Sequence, residues 1–386
     1  MNSDMETLVK SSVVLCLQEL MEHERNQHLK RKAYDRREDG DGDYRNGYYD
    51  RSFTMSIGKI QLRIPRTREG DFSPSIFEKY ARYDQAFVLS MMEMVINGVS
   101  TRKVTKIVEQ LCGESISKSA ISRMTEGLDE VVQEWANRPL APQKYRYLFA
   151  DAMYIKVREE NRVVSKAIYI AVGVTQSYNR EILGLHVGRE ESFDNWTNFF
   201  QHLKQRGLNT PKIVISDAHV GLKKAIHQEF LGASWQRCLF HFKRNVFQKL
   251  PKKNTGDFRY EFKQIYSHID PDESRAALQS FIEKYQEETR FHQALTVLEA
   301  GFEETIQYKT ESTYVWEYIR TTNIVERLNR EIRRREKVIQ IFPNTASAFR
   351  LMGAVLMDLN EEYQKKNNRY MHGMKADIPK GKDLNK

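Results

Sequence analysis

Apolar residues near the start of the chain recur at three- and four-residue spacing: Val9, Val13, Leu17, Leu20 and Met21. That period predicts one amphipathic helix over residues 4–39, ended by Gly40-Asp41-Gly42-Asp43. From Tyr44 to Arg68 the period shortens to two. Phe53, Met55, Ile57, Ile60, Leu62 and Ile64 alternate around Gly58-Lys59, which reads as a hairpin turn. Helical spacing returns over residues 77–138. Ser100-Thr101 caps a helix running to Leu111, Cys112-Gly113 supplies a turn, and Ser117 caps a second helix from Lys118. The pair fits a helix-turn-helix, and it fits ordinary helix packing as well.

After Pro139 and Pro142 the pattern becomes strand-like. Tyr145–Val157, Val163–Thr175 and Arg180–Val187 are successive apolar strands. A helix at Ser192–Arg206, a buried strand at Lys212–Ser216, a helix from about Ala218 and a short strand at Ser234–Arg237 follow. A meander continued by helix–strand–helix predicts an α/β domain, a mixed sheet flanked by helices. From Leu239 to about Ile319 the chain reads as helical and rich in aromatics, an all-helical insertion. Helical pattern resumes at Asn323–Lys337 and Thr345–Tyr363. The division expected is therefore an N-terminal helix (1–43), a basic hairpin (44–76) and a helical DNA-binding region (77–140). The α/β domain (141–238) follows, then its insertion (239–320), its last part (321–364) and a polar, disordered tail (365–386).

The 386 residues are 40% hydrophobic and 29% charged, with no run near the ~20 apolar residues of a membrane span. The first residues lack the basic-then-apolar order of a secretory signal, so a cytoplasmic protein is expected. Cys16, Cys112 and Cys238 are too few and too scattered for a disulfide framework. Neither GxGxxG nor GxxxxGK[ST] occurs, which removes the common nucleotide cradles. The net charge of +9 is uneven, −1 through Leu140 and +10 beyond it. A field of that sign suits a polyanion, and double-stranded DNA is the partner expected. A basic protein without such a partner would carry the same charge. Candidate DNA contacts are Arg45, Arg66 and Arg68 beside the hairpin, and Arg102, Lys103, Lys118, Ser119 and Arg123 on the helix pair. Arg330, Arg333, Arg334 and Arg335 follow on a later helix.

Three carboxylates stand out. Asp151 interrupts the apolar strand Tyr147-Leu148-Phe149-Ala150-Asp151-Ala152-Met153, where a charge needs a counter-ion, either a metal or a salt-bridge partner. Asp217 ends a strand, where open α/β sheets collect ligands and where Asp also caps helices. Glu326 falls three residues after Asn323, as a capping-box carboxylate does. It also shares a helix face with Asn329, Arg330 and Arg333, a grouping suited to a metal-bound phosphate. Cys238-x-x-His241 invites a zinc reading, but no second Cys/His pair lies at ligand spacing, so a complete zinc site is not expected. Trp316 is a core residue or a platform for an unpaired base.

The order of these residues and the words around them resemble the Mutator-like transposases of bacterial insertion sequences. The words are Arg45-Asn46-Gly47-Tyr48, Ile64-Pro65-Arg66-Thr67-Arg68 and Gly98-Val99-Ser100-Thr101-Arg102. Ser216-Asp217-Ala218-His219, Cys238-Leu239-Phe240-His241 and Thr322-Asn323-Ile324-Val325-Glu326-Arg327-Leu328-Asn329 follow. Arg333-Arg334-Arg335 and Ile341-Phe342-Pro343-Asn344 complete the set. The resemblance runs from about Arg45 to Asn360. It implies an RNase H-like domain whose catalytic and metal-holding residues are Asp151, Asp217 and Glu326, with an all-helical insertion between the last two. It also implies an N-terminal region that binds terminal inverted repeats, and copy-out, paste-in transposition through a circular intermediate. Cys238 and His241 match a family word to which a structural or DNA-contacting role is given. Glu336 departs from the pattern, since many relatives carry threonine there.

The expectation is a DNA strand-transfer enzyme using two Mg²⁺ ions, with Mn²⁺ able to substitute, because hard carboxylate oxygens suit such ions. It would act as a homodimer on DNA, on the bacterial nucleoid. A DNA-binding repressor on a degenerate nuclease-like domain is the rival, and a nuclease that only hydrolyses is a third reading.

Overall fold

The computed structural model describes residues 2–30, 43–55, 57–77, 83, 85–112, 116–140, 144–365 and 370–371. The chain divides into two compact units, Met1–Gly127 and Leu128–Lys386.

In the first unit, helix α1 (Asn2–His28) lies on a hairpin of β1 (Arg45–Met55) and β2 (Gly58–Thr67). The helix stops short of the expected residue 39, and residues 31–42 lie outside the described residues. Alternation on β2 buries Ile60, Leu62 and Ile64, which pack with Phe53, Phe77 and Met21 of α1. Gly58, read as the turn, instead opens β2 opposite Met55 with φ 106°. Helices α2 (Gln85–Ile96), α3 (Thr101–Cys112) and α4 (Lys118–Glu126) complete the unit. Ser117 caps α4 by accepting from the Ala120 N–H at 3.1 Å.

The second unit begins one helix earlier than expected. Helix α5 (Leu128–Asn137), assigned from sequence to the DNA-binding region, packs against the last helix of the chain. Strands β3 (Tyr145–Glu159), β4 (Arg162–Thr175) and β5 (Arg180–Gly188) form the antiparallel meander. After α6 (Phe193–Gln205), β6 (Ile213–Ser216) joins β3 in parallel; after α7 (Val220–Glu229), β7 (Ser234–Arg237) joins β6. The sheet order is β5-β4-β3-β6-β7. One face is sealed by Trp196, Phe199, Phe200 and Leu203 of α6 and Leu222 and Ile226 of α7, against Leu148 and Ala150 of β3.

Helices α8 (Leu239–Gln248), α9 (Gly256–Ile265), α10 (Pro271–Tyr285), α11 (His292–Gly301) and α12 (Thr313–Ile319) come next. Phe242, Phe258, Phe262, Phe281, Phe291 and Phe302 give this stretch a core of its own. Helices α13 (Asn323–Ile339) and α14 (Thr345–Gln364) then return to the sheet, α13 against β3 and β4 and α14 against β5. Among the described residues no helix is long and apolar enough to cross a membrane.

Candidate active site

Strand alternation decides where Asp151 points. Leu148 and Ala150 face α6 and α7, so Asp151 takes the opposite face of β3, toward α13. Its Oδ1 accepts from the Ala152 N–H at 2.9 Å, and its Oδ2 accepts from the Asn329 amide of α13 at 2.7 Å. Both donors are neutral, and among the described residues no Lys or Arg pairs with it. The salt-bridged alternative is thereby removed.

Asp217 arrives through the parallel ladder. Phe149 of β3 pairs with Ile215 of β6, so two residues further along both strands Asp217 comes beside Asp151. Two carboxylates at one sheet edge repel each other. Burial, with the charges of Asp217 and Glu191, pushes Asp151 up to about 7, against the amide hydrogen bonds that favour its ionised form. Asp217 is not the helix cap that its position suggested. His219 takes that place on α7, its Nδ1 accepting from the Leu222 N–H at 3.4 Å, and Asp217 Oδ1 accepts from the His219 N–H at 3.1 Å.

Glu191 had no signal in the sequence. It precedes α6 in a Glu-Glu pair of the kind common at helix starts. Its Oε1 accepts from the Trp196 indole at 3.1 Å and lies 3.3 Å from His219 Nδ1. Burial pushes its carboxyl above the ordinary value. It thus adds a third negative group to the Asp151–Asp217 edge.

Glu326 stands one turn before Asn329 on α13, but its carboxylate turns elsewhere. Oε1 lies 3.1 Å from His241 Nε2 of α8 and 3.4 Å from the Thr322 hydroxyl. The N-cap of α13 is Thr322, not Asn323, so Glu326 sits one position too deep for a capping box. Cys238, fully buried as the N-cap of α8, accepts from the Thr322 N–H at 3.4 Å and lies 3.3 Å from its hydroxyl. Burial pushes its thiol above the ordinary value. Cys238, His241 and Glu326 are the one group of three metal-ligand side chains that the described residues hold within 4.8 Å of one another. The Asp151–Asp217 edge and this group share α13 as a wall: Asn329 reaches one and Glu326 the other.

The donor set at the Asp151 edge suits a hard divalent cation. Carboxylate oxygens are the donors such an ion takes, and burial, with the neighbouring charges, gives Asp151 a raised proton affinity that a cation would replace.

The proposed DNA contacts divide. Arg330, Arg333 and Arg334 are exposed on α13. Arg335 is not among them: its side chain is 5% exposed and paired with Glu331 one turn back, so it belongs to the fold. Arg45 is half-buried and donates to Asn26 of α1. Arg66 is exposed, 5.0 Å above the Tyr49 ring, and Arg68 is exposed too. Arg102, Lys103, Lys118, Ser119 and Arg123 are exposed on α3 and α4. Trp316 is half-buried, its indole donating to the Glu311 carbonyl at 2.8 Å and its ring edge-on to Tyr308, which ties it into the fold. A groove unforeseen from sequence runs along α8 and α9, lined by Phe240, Lys243, Arg244, Phe247, Gln248 and Arg259. Among the described residues no acidic one lines it.

A family model described as "Transposase, Mutator family" matches residues 1–366. The chain is 47% identical over 363 residues to the transposase for insertion sequence element IS256 in transposon Tn4001 of Staphylococcus aureus, covering 94% of this chain and 93% of that one. It is 38% identical over 356 residues to the transposase for insertion sequence element ISRM5 of Rhizobium meliloti, covering 92% and 88%. Similarity at 35% over 332 residues links it to the transposase for insertion sequence element IS1081 of Mycobacterium tuberculosis, covering 86% and 80%. Among solved structures, the Mos1 strand transfer complex aligns with 60% of this chain and 79% of that one at 9% identity. Its TM-score of 0.18 is too low to bear on the fold.

Proposed function

The chain belongs to the Mutator family of transposases, and on that premise we propose that it cuts and joins DNA with Asp151, Asp217 and Glu326 on an RNase H-like domain. The observation that carries this is the meeting of Asp151 and Asp217 at one sheet edge, with an amide of the Glu326 helix donating to Asp151 at 2.7 Å.

Asp151 and Asp217 would hold Mg²⁺, or Mn²⁺ in its place, with Glu326 completing the set once its carboxylate leaves His241. When bound, such cations lower the pKa of an attacking water or 3′-hydroxyl and stabilise the departing oxygen. Asn329 fixes the orientation of Asp151 and keeps its Oδ2 accepting. Arg330, Arg333 and Arg334 grip phosphates next to the scissile one, because guanidinium forks match phosphate oxygens. Phe240, exposed on α8, offers a face to a base while Lys243, Arg244 and Arg259 track the backbone. Helices α3 and α4 and the basic hairpin read the terminal inverted repeats. Two ends must meet, so the chain works as a homodimer on DNA, and the product is a circular intermediate pasted into a target.

The test uses purified protein and labelled element-end DNA with Mg²⁺ or Mn²⁺. Cleavage followed by joining is expected, and both should vanish in Asp151→Asn and Asp217→Asn with end binding retained. Binding without cleavage at any metal concentration would establish the repressor reading instead, and nicking without joining would establish a hydrolase. A monomeric synaptic complex by mass measurement would refute the dimer.

A further inference from the structure

We propose that Cys238, His241 and Glu326 form a site for one soft divalent cation of the zinc class, and that its occupation withholds Glu326 from the Asp151–Asp217 edge. The second half rests on the reading of Glu326 as a catalytic carboxylate; the site itself does not.

A sulfur, an imidazole nitrogen and a carboxylate oxygen are what Zn²⁺ takes, and three protein donors leave a fourth position for water. Mg²⁺ prefers hard oxygens and does not compete for sulfur. The three donor atoms lie within 4.8 Å of one another, with His241 Nε2 and Glu326 Oε1 at 3.1 Å. Tetrahedral bonds of the usual length would space them by about 3.3–3.7 Å, so adjustments within the present side-chain positions suffice. Cys238 and His241 are three residues apart on the first turn of α8 and share a face. The Thr322 N–H lies behind the sulfur as an outer partner that orients it.

The backbone pins this group from both ends of the helical insertion. Cys238 N–H donates to the Ser216 carbonyl at 2.7 Å, and Leu239 N–H donates to the Arg320 carbonyl at 2.9 Å. The start of α8 and the approach to α13 are therefore fixed before any cation binds. A single carboxylate on the first turn of α13 serves either side. Drawn to the thiol and imidazole, it cannot complete the set at Asp151.

Co²⁺ titrated into the full-length, metal-stripped, reduced protein should bind one ion per chain. The signature is an intense thiolate-to-cobalt band in the near ultraviolet with the visible bands of four-coordination. Zn²⁺ should bleach both, and excess Mg²⁺ should not. Cys238→Ser should lose the charge-transfer band while Cys16→Ser keeps it. Because Cys238 is buried, Glu326→Gln and His241→Gln supply a second measurement. Each should weaken Co²⁺ at least tenfold, since even an outer-shell partner is worth about 10–100-fold, with an unchanged circular dichroism spectrum. No charge-transfer band in the wild type, or one that survives Cys238→Ser, would overturn the site. Zn²⁺ should also depress Mg²⁺-dependent cleavage as the cobalt-competent site fills. Cleavage indifferent to a filled site would overturn the withholding of Glu326. A cobalt band in a protein that never cleaves DNA would count against the catalytic reading and leave the site standing.

Discussion

Asp151 carries an energetic cost that the fold retains. With its carboxyl pushed from 3.8 to about 7, ionising it costs more in the folded chain than in the unfolded one. The penalty is absent below about pH 4, grows as pH rises, and is complete above about pH 7. At about 1.4 kcal/mol per pK unit, it amounts to a few kcal/mol. Asp151→Asn keeps an oxygen for the Asn329 amide and removes the charge. In chelator at pH 8 this variant should therefore melt at a higher temperature than the wild type, the gap closing by pH 4. Mg²⁺ should raise the wild-type midpoint and leave the variant unmoved, since only a group that binds in the folded state adds stability. A variant no more stable than the wild type at pH 8 would mean that the pair is relieved within the fold. This residue was legible in the sequence because a charge inside an apolar strand has few explanations. The contact of Glu326 with His241 was not, because it spans 85 residues and an intervening helical insertion. Arg335 misled for the opposite reason: its partner Glu331 is one turn away, yet a run of arginines reads as a surface.

At the scale of elements, most of the meander and helices were legible from period and caps, but irregularities depend on distant partners. Between β4 and β5 the register shifts after Ala171, leaving Leu183 as an extra residue on β5. The neighbouring Ile182 N–H finds its acceptor in Asn360 of α14, at 2.8 Å. Asn360 is buried, and no spacing rule joins it to a strand 178 positions away. Asn360→Leu should cost about 1–3 kcal/mol, the penalty of stranding a buried donor, seen as a lower urea midpoint with unchanged slope. Gly173 of β4 presents the other kind of constraint. A Cβ there would stand 2.4 Å from the Tyr145 ring and 3.0 Å from Leu183. Gly173→Ala should destabilise by about 1–3 kcal/mol, as overpacking of a filled core does, whereas Gly256→Ala, with nothing within 4 Å, should not. A Gly173→Ala variant as stable as the wild type would show that the ring moves aside freely.

For the molecule as a whole, the sheet brings together residues from segments that the sequence keeps apart. Helix α5 shows how such assembly escapes local reading: Asp129 meets Arg350 of α14 through two hydrogen bonds, 2.6 and 2.7 Å, across 221 positions. Helical spacing that runs unbroken to Pro139 assigned α5 to the preceding helices; a bidentate pair assigns it to the sheet unit. Charge, by contrast, needs no contacts to be read. The excess of +10 beyond Leu140 favours phosphate wherever it is presented, and α13 presents part of it as exposed Arg330 and Arg333. Each phosphate neutralised releases counterions and contributes about −0.9 to the slope of log affinity against log salt. Replacing both arginines by alanine should weaken element-end and unrelated duplexes alike and make that slope shallower by about 2. The measurement is a fluorescence anisotropy titration across salt concentrations. A loss confined to element ends would move these arginines from phosphate contact to base reading. An unchanged slope would show that the DNA follows another face of the protein, with the α8–α9 groove the next to be mutated.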